Sequence, residues 1–181
     1  MNKKIVAASL AFSSLLLCGS AMAADVKLVF KGEVSPSTCA IVGDNGSGEY
    51  VMAVELPTVS ARALAKQNDV AGRKPVVLNL TGCSGSKVTT RFNSGSSVDP
   101  ITGALLTPAA SINGETPSNA QVQLLNSKYQ PINLSDNSGT ETVSIEDNAA
   151  KIEFYAQYLA ATSNTTPGPV QTEVLLDLIY E

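Results

Sequence analysis

The run that closes the chain, Gly168-Pro169-Val170-Gln171-Thr172-Glu173-Val174-Leu175-Leu176-Asp177-Leu178-Ile179-Tyr180-Glu181, constrains the fold most. Its even positions Val170, Thr172, Val174, Leu176, Leu178 and Tyr180 alternate with Gln171, Glu173 and Asp177. That period of two belongs to a β-strand with one buried face. Leu175 and Ile179 interrupt the polar face, so the sequence predicts partial cover on both sides. A strand in this place has no following hairpin partner, and an unprotected edge invites association with other chains.

Short alternating segments recur along the rest of the chain. Val26, Leu28, Phe30, Gly32 and Val34 form one face of a first strand, with Lys27, Lys31 and Glu33 on the other and Val29 as the exception. Read by itself, Gly32 marks a bulge. Further strands are expected over 50–56, 75–81, 87–92, 121–125, 131–134, 142–145 and 151–158. Residues 61–67 form helix well, but only for a turn or two. The stretch 93–119 is rich in Ser, Gly, Pro and Thr and reads as a long crossing with short strands around Ile101 and Leu105-Leu106. Many short strands without a long helix imply an all-β sandwich or barrel.

The chain has 181 residues, room for one domain. It opens with a targeting segment: basic Asn2-Lys3-Lys4, an apolar stretch to Cys18, and Ala21-Met22-Ala23 as an A-x-A cleavage site. Residues 1–23 are therefore read as a signal peptide cut between Ala23 and Ala24. Lipid attachment at Cys18 is the weaker alternative, because Leu17 stands where a small residue is needed. Cleavage leaves Cys39 and Cys83. Two cysteines in an exported chain pair as a rule, the alternative being two free buried thiols.

Net charge is −4 and no basic patch exists, so nucleic acid is not an expected partner. The absence of histidine removes the commonest general base and metal ligand. Ser84-Gly85-Ser86-Lys87 fits S-x-x-K, but it sits at a strand end without the companion motifs of an enzyme. Asp44-Asn45-Gly46 lacks the acidic spacing of a calcium loop and reads as a turn. Tyr155 and Tyr158 are read as packing residues rather than a sugar-stacking platform. No catalytic residue, metal site or cofactor is expected.

These pieces together resemble the type 1-like pilin subunits of the chaperone–usher pathway in Gram-negative bacteria. The resemblance rests on Phe30-Lys31-Gly32-Glu33-Val34 shortly before Cys39, and on Val54-Glu55-Leu56-Pro57-Thr58-Val59. It continues through Leu78-Asn79-Leu80-Thr81-Gly82-Cys83, Val122-Gln123-Leu124-Leu125 and Phe154-Tyr155-Ala156-Gln157-Tyr158-Leu159-Ala160. Gly168 and the penultimate Tyr180 match the family's closing pattern. The resemblance implies an incomplete immunoglobulin-like β-sandwich that lacks its last strand and is completed by donor-strand complementation. It implies a donor extension over 24–34, presenting Val26, Leu28, Phe30, Gly32 and Val34, and a pilin domain over 35–181. It makes Gly168, Val170, Thr172, Val174, Leu176, Leu178 and Tyr180 the acceptor-groove and chaperone-binding residues. The implied partners are a periplasmic chaperone, an outer-membrane usher, and copies of this or related subunits; a host receptor is not indicated. The implied function is a structural subunit of a surface fimbria supporting cell adhesion. A major shaft subunit is expected, with a minor adaptor or receptor-binding subunit as the alternative.

Overall fold

The computed structural model describes residues 39–44 and 50–181. The signal segment with Ala23 and Ala24, the donor positions Val26, Leu28, Phe30, Gly32 and Val34, and part of the Gly/Asn/Ser turn lie outside the described residues.

The described residues form eight strands: β1 (Ala40–Ile41), β2 (Val70–Thr81), β3 (Lys87–Phe92), β4 (Gln121–Leu125), β5 (Pro131–Ile132), β6 (Thr142–Ser144), β7 (Ala149–Leu159) and β8 (Leu176–Tyr180). They build two sheets, ordered β1-β2-β7-β4-β5 and β6-β3-β8. Every strand pair is antiparallel. This is the all-β sandwich that the alternating segments predict, and it is not a barrel.

The period of two carries the core. On β2, Val76, Leu78 and Leu80 are buried; their partners on β7 are Phe154, Ile152 and Ala150. On β3, Val88 and Phe92 face inward and are almost wholly enclosed. Phe92 meets Phe154 edge-on, with ring centroids 5.9 Å apart, an arrangement favoured by the ring quadrupoles. One cluster gathers around Phe92, Leu124 and Leu134, a second around Leu78, Leu80, Val88 and the Cys39–Cys83 bridge. A third and smaller one holds Leu64, Ala120 and Ala160.

Beyond shifts at strand ends, such as β5 stopping at Ile132 rather than 134, the structure departs from the sequence expectation in four places. β2 starts at Val70 rather than 75, because a register shift between Ala71 and Lys74 breaks the alternation. Gly72 sits there at φ +67°, where a Cβ would meet the Tyr158 ring at 3.0 Å. Pro75 is tolerated in β2 because β1 covers only Leu80 and Thr81, leaving the strand an edge at Pro75. Residues 50–59 are not assigned to a strand, and the short helix is a 3-10 turn, Ala61–Leu64, with Ser60 as its N-cap. In the long crossing, Leu105 bridges to Val98 and Val122, whereas Ile101 is 91% exposed at a loop tip. The closing run forms a hydrogen-bonded strand only from Leu176 onward.

Candidate functional site: an open groove beside the last strand

β8 is an edge strand. It pairs with β3 from Val88↔Tyr180 to Phe92↔Leu176. The ladder runs on at both ends, where the Asn93 N–H donates to the Leu175 carbonyl (2.9 Å) and Lys87 and Glu181 exchange bonds of 3.2 and 3.0 Å. Ser84-Gly85-Ser86-Lys87, the S-x-x-K tetrapeptide, makes the turn that holds the chain end. The Ser86 N–H and hydroxyl both donate to the Glu181 carbonyl, at 2.7 and 3.2 Å. Among the described residues, no strand pairs with the other edge of β8.

Burial along this segment alternates without a break from Val170 to Tyr180. Val170, Thr172, Val174, Leu176, Leu178 and Tyr180 are half-buried, while Gln171, Glu173, Leu175, Asp177 and Ile179 are exposed. Leu175 at 57% and Ile179 at 42% are outward-facing, so the expected partial cover on both sides is confined to one side. The inward face is itself incompletely covered: Val88 and Phe92 of neighbouring β3 are 0% and 2% exposed, yet none of the inward residues from Val170 to Tyr180 reaches full burial.

Residues 50–59 face the same core from the other side. Tyr50 and Met52 pack on the cluster around Leu78 and Val88, Met52 and Leu56 on the Phe92 cluster, and Val59 on the cluster around Leu64. The closing segment touches these clusters in reverse order. Val170 contacts the Leu64 and Phe92 clusters, Val174 the Phe92 cluster, Leu176 the Phe92 and Leu78 clusters, and Leu178 and Tyr180 the Leu78 cluster. The two segments thus run in opposite directions along one core. No backbone hydrogen bond joins them among the described residues. Two segments with half-covered apolar side chains over one core and no ladder between them mark a candidate groove the length of a strand. The sequence reading assigned Val170 to Tyr180 to this groove but did not identify Met52 and Leu56 as its second wall. The sequence marks 50–56 as a strand, but which core its side chains share with the closing segment is a tertiary fact.

Both ends of the groove are pinned. At one end Gly168 adopts φ +150°, and a Cβ there would collide with the Thr116 carbonyl and lie 2.7 Å from the Ser118 nitrogen. Close main-chain approach of this kind calls for glycine. The Ser118 N–H donates to the Pro169 carbonyl (3.0 Å), and Asn119 and Thr166 bond each other at 2.8 and 3.2 Å. Gly168 is exposed, at the start of the closing segment. At the other end the Tyr180 hydroxyl accepts from the Cys39 N–H at 3.2 Å, beside the Cys39–Cys83 disulfide. Burial raises the Tyr180 pKa above its ordinary value, and the Cys39 bond opposes that shift. Tyr180→Phe removes the acceptor and strands the buried Cys39 N–H, at an expected cost of about 1–2 kcal/mol. A lowered urea midpoint with an unchanged m-value would report it; an unchanged midpoint would show the bond to be idle.

Inside the groove, the Thr172 hydroxyl oxygen is buried without a hydrogen-bond partner, the one side-chain polar atom so placed among the described residues. The sequence marks Thr172 only as an inward position; its unpaired state is visible only in the fold.

The described residues form a two-sheet, immunoglobulin-like sandwich in which one edge of the last strand is unpaired. The chain matches the type-1 fimbrial protein, A, family over residues 56–181. It is 43% identical over 169 residues to the major fimbrial subunit SMF-1 of Stenotrophomonas maltophilia, covering 89% of this chain and 95% of that protein. It is 32% identical over 170 residues to the F17 fimbrial protein of Escherichia coli, covering 88% and 89%. Among solved structures, a chaperone–usher pilus whose structure reveals the basis of rod uncoiling superimposes with a TM-score of 0.60, at 16% identity, covering 87% of this chain and 96% of that one. The P pilus rod subunit PapA superimposes with a TM-score of 0.59, at 14% identity, covering 79% and 99%. These two show the fold. The chain belongs to the type-1 fimbrial protein family, the structural subunits of chaperone–usher pili found in cell-surface fimbriae.

Proposed function

We propose that this subunit polymerises by strand donation, as a major subunit of the fimbrial shaft. The groove between 50–59 and 168–180 receives the strand Val26, Leu28, Phe30, Gly32, Val34 of the next subunit in the fibre. A periplasmic chaperone occupies the groove first, and an outer-membrane usher exchanges it for the donor. The observation that carries this reading is the inward face from Val170 to Tyr180, alternating yet only half-covered, beside a free strand edge. Adding a strand to such an edge is a recurring mode of peptide recognition, in which main-chain bonds supply pairing and alternate side chains fill pockets. Burying Val26, Leu28 and Phe30 would contribute about 1.5–3 kcal/mol each. Donor and groove are different surfaces of one chain, so the contact is head-to-tail and builds an open filament. Similarity along most of the chain to a major fimbrial subunit supports the shaft assignment.

Removal of residues 24–33 tests the donor. The expected product folds with its chaperone but donates to no neighbour, and filament length collapses in electron micrographs. Filaments of normal length would overturn the donor assignment.

A further inference from the structure

We propose that Tyr129 and Tyr155 form an oxidative cross-linking site. A one-electron oxidant of the haem-peroxidase class, supplied with hydrogen peroxide, joins the two rings into dityrosine and so staples the β4–β5 turn to β7.

The pair lies on the outer side of the five-stranded sheet. Along β7, Ile152, Phe154 and Ala156 belong to the core clusters, and alternation turns Tyr155 to the opposite face. Its ring meets that of Tyr129 with centroids 4.7 Å apart and planes tilted by 42°. Tyr129 is held in place there. It stands in the turn between β4 and β5 at φ +61°, a left-handed conformation that bulky residues rarely adopt. Asn126 enforces the turn. Its Oδ1 accepts from the N–H groups of Lys128 and Gln130, both at 3.0 Å, and its Nδ2 donates to the Gly139 carbonyl at 3.1 Å. Arg73 lies over the Tyr129 ring, 4.8 Å from its centroid, and donates from Nε to Gln157 Oε1 at 2.9 Å. That ring face is taken and is not offered to a sugar, yet Tyr129 is 53% exposed and open to an oxidant. Two groups fixed at contact distance react far faster than two that must first meet.

The hydroxyl ends also sit together. The Tyr155 hydroxyl donates to Glu153 Oε1 at 2.7 Å, and Tyr129 is its second side-chain hydrogen-bonding neighbour; both raise the Tyr155 pKa above its ordinary value. The ring carbons ortho to the two hydroxyls are thus neighbours, and in a phenoxyl radical those carbons carry unpaired spin. Each phenol gives one electron to the oxidant and one hydroxyl proton, that of Tyr155 to Glu153 and that of Tyr129 to water. The two radicals couple through a carbon–carbon bond. Each ring then loses the hydrogen on its bonded carbon as a proton, and a proton returns to each oxygen. Hydrogen peroxide takes up the two electrons with two protons and leaves as water. Among the described residues, no other two tyrosine rings are in contact. Tyr158 packs on the Leu64 cluster, and Tyr180 is tied to Cys39.

Purified fimbriae of this chain, treated with a haem peroxidase and hydrogen peroxide, test the site. After dissociation and digestion, the expected product is one peptide pair joining Tyr129 to Tyr155, lighter by two hydrogens than the unlinked peptides. It should come from chains that still migrate as monomers. Tyr129→Phe and Tyr155→Phe are each expected to abolish dityrosine fluorescence, and Tyr158→Phe to retain it. Dityrosine between chains or at other tyrosines would overturn the site, as would none at all. Glu153→Gln keeps an acceptor oxygen but takes up no proton, so coupling should slow by on the order of a hundredfold, the low end of what a positioned base contributes. An unchanged rate would remove Glu153 from the reaction. The linked chain should unfold at a higher urea midpoint than the untreated one; equal midpoints would show that the link staples nothing.

Discussion

Replacing Cys39 and Cys83 with serine is expected to remove about 4 kcal/mol of stability, the loop-closure entropy of a bridge between positions 44 apart. A domain of this size has about 5–15 kcal/mol in all. This one also leaves the apolar face from Val170 to Tyr180 half-covered, so its reserve before complementation is at the low end. The bridge joins the approach to β1 to the end of β2, inside the cluster of Leu78, Leu80, Val88 and Ile152. It also fixes the Cys39 N–H that Tyr180 accepts, so its loss loosens the closed end of the groove. The urea midpoint should fall by the same amount for the double serine variant and for the parent protein under reductant. Equal midpoints with and without reductant would show that the bridge does not constrain the unfolded chain.

Gly168→Ala is the second large effect. At φ +150° a side chain strains the backbone, at about 1–3 kcal/mol. The added Cβ also drives the main chain away from Thr116 and Ser118, and overpacking of that kind costs about 1–3 kcal/mol more. Relief requires 116–118 or 168–170 to move, which breaks the Ser118 N–H bond to the Pro169 carbonyl and displaces Val170 at the groove's mouth. Filament yield should therefore drop further than the urea midpoint alone would suggest, because β8 stays on β3 while the mouth is distorted. Wild-type yield together with a wild-type midpoint would show that the close approach is not required.

Much of the fold was legible because inward and outward side chains alternate along a strand whatever it pairs with. Lys87–Phe92 and Gln121–Leu125 form strands over the expected residues, and β7 extends the expected 151–158 by two residues at its start and one at its end. The start of β2 was hidden because the bulge between Ala71 and Lys74 breaks the period there. Residues 170–175 show the converse: alternation survives in their burial, yet no strand pairs with them among the described residues, whereas over 50–59 the period holds only at Tyr50, Met52 and Leu56 and breaks at the exposed Val54.

The chain by itself determined which side chains alternate, that an exported pair of cysteines would bridge, and which positions from Val170 to Tyr180 would turn inward. Those are local properties: a two-residue period and a compartment. Only the tertiary structure decided that 50–59 is the opposing wall, that Gly168 holds the mouth against Thr116, and that the Thr172 hydroxyl stands unpaired inside. Each depends on which distant segments meet across the sandwich, and a period of two is silent on what lies across from it.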